Sequence, residues 1–542
     1  MRRDLDRLAN GRFDLLVIGG GIAGAAIARD AALRGLSVAL VERNDFAHAT
    51  SAHNSKLIHG GLRYLRNLEL GLVRESLRER RVWLQIAPHL VRPLPFLLPL
   101  TRRHPLARAA LGTGLTLYDI LASDRGQPDD PDRRLPHHGW LDATKARACE
   151  PCLDSLPLSG AYRYFDAQMY SPERLALECV LDAARSGAAV ANHLDALSLL
   201  VRHGSVEGAG VCDALSGAKF DVRARLTIAA VGPWSDEFLS KALGHRSQRL
   251  RRSKGIHLLV PPLTREHALT IAAGSGHFFV IPWRRGTLVG TTDTPYDGKT
   301  DALDVTEAEI ECFLRVINAH LPTVGLTRAS VRQSYAGIRP LIDDHGANTY
   351  ATSRRAELID HEKRDSVNAL FSVIGGKWTT ARHLAQTTVD AALQKLGRGR
   401  LPSTTATRGM PGGDPGRVPA FMNEARALGV VAANLDHVAR LYGSRLLHLL
   451  DILRERPNLA APLSASGDIG AQIVLAVREE MALTLEDTIM RRTGIGQEGD
   501  PGRNALEISA AIMAGECGWS DTRRRAEVES VAARLGGARS KT

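Results

Sequence analysis

An α/β fold is predicted for this chain: a Rossmann-like nucleotide-binding sheet that opens it, a second and mostly antiparallel sheet in its middle, and an all-helical domain at its end. Three observations predict it. A strand, a glycine turn and a helix follow one another between Phe13 and Leu33 and lead into a second strand that ends at Glu42. Alternating β-type patterns with glycine punctuation return from about Asp221 to Ala230 and from His277 to Thr292 and predict the second sheet. Beyond a Gly-, Pro- and Arg-rich stretch, Val474, Val477, Met481, Leu485 and Thr488 recur at helical spacing with no competing strand signal.

Size and composition agree with this division. A chain of 542 residues exceeds one core, so two or three domains are expected, and 44% hydrophobic residues without a biased tract exclude general disorder. No uninterrupted apolar run reaches 18 residues and Met1 to Phe13 is polar, so neither a spanning helix nor a secretion signal is expected. Six scattered cysteines suit a reducing compartment better than a disulfide framework. The net charge of +11 favours anionic partners without naming one. Only 10 of the 70 basic residues are Lys, so a Lys inside a motif is informative.

In order along the chain, Phe13 to Ile18 reads as a strand, Gly19 to Gly24 (GGGIAG) as the turn, and Ala-rich Ala25 to Leu33 as the helix that Gly35 closes. Ser37 to Val41 completes a βαβ unit of about 30 residues. Leu68 to Ile86 reads as a helix that stops before Pro88. The prolines of PLPFLLPL (Pro93 to Leu100) argue against a central strand and leave an apolar loop or edge segment beside Arg102 and Arg103. Gly208 to Gly210 reads as a turn between hairpin strands, and Asp293 to Gly298 as another turn. The predicted boundaries are a core at 1–397, a linker at 398–417 and a helical domain at 418–542.

The chemistry concentrates in few places. Gly19, Gly21 and Gly24 form GxGxxG between a strand and a helix, where backbone approaches a pyrophosphate and helix N–H groups face it. Glu42 follows 18 residues after Gly24 at a strand end, the place of an acid that binds a ribose, so FAD or NAD is expected rather than NADP. In ATSAHNSKLIHGGLRYL (Ala49 to Leu65), Ser55, Lys56, His59 and Gly60 are expected to line a flat flavin ring. GGKWTT (Gly375 to Thr380) places Lys377 at a helix start, an anion site suited to the flavin's C2 carbonyl region. His257, Arg339 and Arg354, taken with Arg63 and Lys377, could form a phosphate clamp, for which Arg is chemically apt. Cys149 and Cys152 form a lone CxxC with no further ligands nearby, so no metal site is expected.

These segments resemble the FAD-dependent, respiratory, quinone-linked glycerol-3-phosphate dehydrogenase family. The resemblance rests on DLLVIGGGIAG, ATSAHNSKLIHGGLRYL, AAVGPWSD (Ala229 to Asp236), FFVIPWRRGTLVGTTDTPYDG (Phe278 to Gly298), SYAGIRPL (Ser334 to Leu341), FSVIGGKWTT and VREEMALTLEDTIMRRT (Val477 to Thr493). It implies FAD-binding Rossmann-like segments interleaved with an antiparallel substrate sheet. It implies oxidation of sn-glycerol 3-phosphate to dihydroxyacetone phosphate, with electrons leaving for ubiquinone or menaquinone, and a cytoplasmic protein held peripherally on the inner face of the cytoplasmic membrane. FAD contacts are implied at Gly19, Gly21, Ile22, Gly24, Glu42, Arg43, Thr50, Ser51, Ser55, Lys56, Leu57, His59, Gly60, Gly61, Gly232, Gly376, Lys377 and Thr379. Substrate contacts are implied at Arg63, Tyr64, His257, Arg339, Arg354 and Lys377. His257 is the first choice for the base and His59 the second, because imidazole titrates near neutrality, with Arg339 as a further catalytic candidate. A homodimer is among the expected assemblies. Two departures stand out: Ala52-His53-Asn54 replaces a Ser-rich stretch, and Arg355 stands where an acid is common.

Two rival functions follow from the same residues. One is a flavin oxidase that passes electrons to oxygen, acting on glycerol 3-phosphate or an amine. The other is an FAD-containing tRNA-modification protein, which the positive charge suggests; the basic residues are dispersed and aromatics scarce, so no nucleic-acid partner is expected. For membrane contact, PLPFLLPL with Arg102 and Arg103 is the candidate anchor, apolar residues flanked by cations, against the reading of the same segment as a core loop between two elements; the helical C-terminal domain is the next candidate.

Overall fold

The computed structural model describes residues 1–100, 105–124, 133–244, 250–274, 276–342 and 356–536. Its first sheet has the parallel order 370–375, 219–229, 12–18, 38–41 and 189–191, with 356–360 antiparallel on one edge. Strand Arg12–Ile18 is buried on both faces, as a parallel strand covered by helices must be. The helices Ile22–Leu33, Pro172–Arg185 and Ala381–Lys395 provide that cover, and their Ala, Val and Leu residues pack with the strands into one core. The helix Ile22–Leu33 begins at Gly21 and ends before Gly35, whose φ of +79° turns the chain away.

The segment 219–229 belongs to this first sheet, not to the second. Its β-alternation announces a strand, but only its parallel register with Arg12–Ile18 places it. The strand Ser205–Asp213 beside it holds Gly208 to Gly210, which were expected in a turn. Gly208 has a φ of +138°, and a Cβ on it would lie 1.9 Å from the Val222 carbonyl oxygen, so the glycine is there for close strand contact.

The second sheet runs 294–295, 250–260, 286–290, 276–283, 268–273, 91–100, 160–169 and 57–58, with 333–342 on the strand Leu250–Val260 and 139–142 on Gly160–Met169. PLPFLLPL is therefore part of a ten-residue strand, Val91–Leu100, paired along its whole length with Gly160–Met169. The prolines survive by parity. The Leu90 carbonyl accepts from the Tyr170 N–H opposite it, so even-numbered residues bond toward 160–169. Pro93, Pro95 and Pro99 are odd and turn their missing N–H to the other edge, where the neighbouring strand pairs only at Phe96 and Leu97. Those two side chains are 1% and 0% exposed, which removes this segment as a membrane anchor. Arg102 and Arg103 lie outside the described residues. The helix Leu70–Ile86 ends at Ala87 as expected, and its Trp83 donates from Nε1 to the Thr379 carbonyl at 3.0 Å.

The last part is helical: Val418–Ala427, Ala432–Tyr442, Leu446–Glu455, Gly470–Glu480, Arg503–Cys517 and Asp521–Gly536. The spacing from Val474 to Thr488 does not make one helix, because Met481 takes a φ of +58° and ends the first piece. Residues 398–417 hold no regular helix or strand, yet they are tightly held: Ser403 and Thr405 donate to Asp30, and Arg29 and Arg34 donate to the carbonyls of Arg408 and Leu401. Among the described residues, no helix is long and apolar enough to cross a membrane.

The helical part meets the core through buried charge. Arg174 forms a bidentate pair with Glu480 at 2.6 and 3.0 Å, and Arg445 joins the same carboxylate at 2.5 Å. Asp45, directly after the second strand of the βαβ unit, takes two bonds from Arg492 at 2.6 and 2.7 Å and one from Arg491 at 2.5 Å.

Candidate active site

A cleft opens where the strand Arg12–Ile18 passes into the glycine turn. Its walls are Gly19, Gly21 and Ile22, the strand end at Val41 to Asn44, the segment Ala49 to Ser51, the bulge Leu194 to Ser198, the segment Ala230 to Trp234, and Gly375 to Trp378. Glu42 is fixed in this wall. Its two carboxylate oxygens accept from the backbone N–H groups of Gly20 at 2.6 Å and Asn44 at 2.9 Å, and burial pushes its pKa up. Gly24 does not line the cleft but makes it: a Cβ there would lie 1.9 Å from the Gly19 carbonyl oxygen, so no other residue lets the helix come this close to the turn. Ser51 Oγ accepts from the Ile22 N–H at 2.9 Å, and Thr50 donates to the Ile338 carbonyl at 2.7 Å, which seats the 49–65 loop on both sheets. Arg43 lies 4.5 Å from the centre of the Trp234 ring and pairs with Asp301. Gly232 and Gly376 close the far side.

Beside this cleft is a cluster of cations around one phenol. The Lys377 Nζ lies 4.5 Å from the Tyr64 ring centre and the Arg63 guanidinium 4.9 Å from it. The Lys377 amine is buried and has no hydrogen-bond partner among the described residues. Burial lowers its pKa, with Arg63 adding to the effect and Tyr64 and Glu75 opposing it. Arg339 donates to Ser253 Oγ at 3.0 Å, to Thr291 Oγ1 at 2.6 Å and to the Thr292 carbonyl at 2.9 Å, with Asp293 3.5 Å away. Its pKa is lowered by burial first, and Arg63 lowers it further. His257, 3% exposed, bonds Ser55 Oγ through Nε2 at 2.9 Å, and burial followed by the Arg339 charge holds its pKa well below the usual imidazole value. Lys377 and Pro340, the neighbour of Arg339, line the cleft and so join it to the cluster.

The structure thus brings together Arg63, Tyr64, His257, Arg339 and Lys377, which are spread over more than 300 residues. Arg354 and Arg355 lie outside the described residues. His59 sits between cleft and core: its N–H donates to Thr379 Oγ1 at 3.1 Å, and the Thr379 hydroxyl donates back to its carbonyl at 3.2 Å. Lys56 departs from its expected place on the flavin ring, because its ammonium is buried against Glu173 at 2.9 Å and the Ala52 carbonyl at 2.8 Å. Leu57 pairs in the second sheet, Gly60 donates to Asp166 at 3.1 Å, and Gly61 begins a short helical turn, so these three shape the loop from behind. Trp234 and Ser198 line the cleft without having been singled out; Trp234 lay in a quoted motif, whereas the bulge at Ser198 carried no signal.

A model of the family described as FAD dependent oxidoreductase matches residues 14–390, and one described as the C-terminal domain of alpha-glycerophosphate oxidase matches 403–524. A glycerol-3-phosphate dehydrogenase of Synechocystis sp. is 37% identical over 96% of this chain and 95% of its own length. This chain belongs to the FAD-dependent glycerol-3-phosphate dehydrogenase family. The mitochondrial glycerol-3-phosphate dehydrogenase of Mus musculus is 33% identical over 96% of this chain and 72% of its own. The solved glycerol-3-phosphate dehydrogenase of Bacillus halodurans, complexed with FAD, superposes with a TM-score of 0.78 at 28% identity, covering 98% of this chain and 96% of that one. FAD is the family's cofactor, and the residues of the cleft fit it: a glycine turn and helix start of the kind that takes a pyrophosphate lie beside a carboxylate, Glu42, fixed at the strand end in the cleft wall.

Proposed function

We propose that this protein oxidises sn-glycerol 3-phosphate to dihydroxyacetone phosphate and passes the electrons to a membrane quinone. The observation that carries the substrate is the convergence of half-buried cations on Tyr64. Arg63, Arg339 and Lys377 converge there, and one of them lacks any hydrogen-bond partner among the described residues. A dianionic phosphate supplies the missing acceptors. Oxidation at C2 breaks the C–H and O–H bonds and forms a carbonyl; His257 takes the hydroxyl proton, for which its lowered pKa keeps it unprotonated near neutrality. FAD in the cleft supplies the two-electron acceptor for the hydride leaving C2. Arg339 lies by His257 and balances the negative charge that develops on the C2 oxygen as it gives up its proton, while Glu42, Gly19, Gly21 and the helix start at Ile22 hold the cofactor's ribose and pyrophosphate.

The quinone and the bilayer are supported by a different surface from the expected one. Helix Pro105–Leu121 carries only Arg108 and Asp119 as charged residues, and its Leu106 and Ile120 are 85% and 63% exposed. It packs beside the turn Leu62–Asn67 that holds Arg63 and Tyr64, and just past that turn Leu68 is 78% exposed. An apolar face next to the reaction centre suits a lipid-soluble acceptor. The test is direct. The purified yellow protein is expected to bleach with glycerol 3-phosphate and to recover its colour with a quinone. Leu106→Ser with Ile120→Ser should weaken co-sedimentation with anionic vesicles while bleaching stays intact. Recovery by oxygen alone, with peroxide formed, would point instead to the oxidase suggested by the description of the matched C-terminal domain.

A further inference from the structure

Three rings join the 49–65 loop to the substrate strands. His53 stacks on Tyr335 with centroids 5.4 Å apart and planes at 26°, and Tyr335 stacks on His257 at 5.1 Å and 21°. The Tyr335 hydroxyl donates to the Asn54 carbonyl at 2.7 Å, and Tyr335 and His257 face each other across the antiparallel ladder. At the far edge of the last ring, Ser55 Oγ lies 2.9 Å from His257 Nε2, whereas Nδ1 is buried with no hydrogen-bond partner among the described residues.

A neutral imidazole carries one proton on its two nitrogens, and only the other nitrogen can accept. If Nδ1 held that proton, a buried N–H would lack an acceptor. With the proton on Nε2, Ser55 accepts it and Nδ1 is left a buried acceptor without a donor among the described residues, a donor that the substrate hydroxyl can supply. We propose that Ser55 and Tyr335 are positioning residues for His257: Ser55 fixes the tautomer in which Nδ1 takes the substrate's hydroxyl proton, and the Tyr335 ring holds the plane of the imidazole. This rests on the reading of His257 as the base. The charged and titratable neighbours are Arg339, Lys56 and His53, and all of them oppose a charged imidazole, as burial does; Lys56 is itself paired with Glu173.

The test uses the flavin-loaded protein and two readouts. In protein labelled with 15N-histidine, the His257 ring signals, identified by their loss in His257→Asn, are expected to report Nε2–H. Ser55→Ala is expected to slow bleaching by glycerol 3-phosphate roughly ten- to a hundred-fold, the scale for loss of an orienting partner of a functional histidine, with half-saturating substrate unchanged. Ser55→Thr, which keeps the acceptor, should restore most of that rate. Tyr335→Leu should also slow bleaching and move its acid limb to higher pH as water reaches the imidazole, and Tyr335→Phe should recover most of the loss. An Nδ1–H signal in the parent, or parent-rate bleaching by Ser55→Ala, overturns the proposal and leaves His257's own role standing. Parent-rate bleaching by His257→Asn removes the base reading instead. If Ser55→Ala does not retain FAD, the tautomer signal and Ser55→Thr decide.

Discussion

Two regions of this molecule gather several cations away from solvent, fully in one and partly in the other, and they treat them in opposite ways. Where the helical part meets the core, Arg174 and Arg445 share Glu480, and Arg491 and Arg492 share Asp45. Around Tyr64, Arg63, Lys377 and Arg339 gather; Asp293 lies 3.5 Å from Arg339 and Glu75 and Glu69 act on Lys377 from a distance, yet the Lys377 amine has no hydrogen-bond partner among the described residues. Buried charge costs folding energy unless it is paired. In the first region each Arg meets a carboxylate at hydrogen-bond distance, whereas in the second, on the function proposed above, the Lys377 amine is left for a ligand to pair. On the proposed function the same residue types serve assembly in one place and recognition in the other, and the difference lies at Lys377, whose amine has no hydrogen-bond partner among the described residues.

The comparison breaks most sharply at Glu480. Glu480→Ala leaves Arg174 and Arg445 buried without their partner and is expected to cost about 3–5 kcal/mol of stability, seen as a lower unfolding midpoint. No change in that midpoint would mean that the junction is not held by these pairs. Truncation in the other cluster should act on binding instead. Arg339→Ala and Lys377→Ala are expected to lose about 2–5 kcal/mol of substrate recognition, read as a fall in the second-order rate of bleaching, with flavin retained and thermal stability unchanged or slightly raised. A loss of stability like that of Glu480→Ala would erase the distinction between the regions.

A smaller effect follows from pH. The Arg174 and Arg445 charges outweigh burial and hold the Glu480 pKa at about 2, against an ordinary 4.5. A depressed carboxylate pKa stabilises the folded state fully above the ordinary value and loses that contribution as pH falls toward the folded one. The unfolding midpoint of the parent should thus decline between pH 4.5 and 2, and Glu480→Gln should flatten this part of the profile. An equally steep decline in that variant would assign the acid sensitivity to other carboxylates.

What the sequence made legible was local. GGGIAG with Glu42, the helix to Ile86 and the Lys377 turn each declare themselves within a few residues, because turn chemistry and helical period are short-range signals. What it hid depended on pairing at a distance. PLPFLLPL looks unfit for a central strand until its register shows that all the prolines share one edge. The segment 219–229 looks like a strand of either sheet. Arg174 and Glu480 are 306 residues apart, and Ser55 and His257 are 202 apart, so neither contact leaves a mark in the chain around it. Lys56 misled for the same reason: its motif placed it near the flavin ring, and Glu173 takes its charge instead.

The proline parity of Val91–Leu100 also bears on the making of the protein. This strand leaves the ribosome well before its antiparallel partner at 160–169, and much earlier than its other neighbour at 268–273. During that interval a strand rich in Leu and Phe could recruit a strand from another nascent chain. The donors on the edge that must wait longest are those of residues 91, 93, 95, 97 and 99, and Pro93, Pro95 and Pro99 remove three of these five, so a foreign strand finds too few hydrogen bonds to stay. The native neighbour needs contact only at Phe96 and Leu97, and loses nothing by the arrangement.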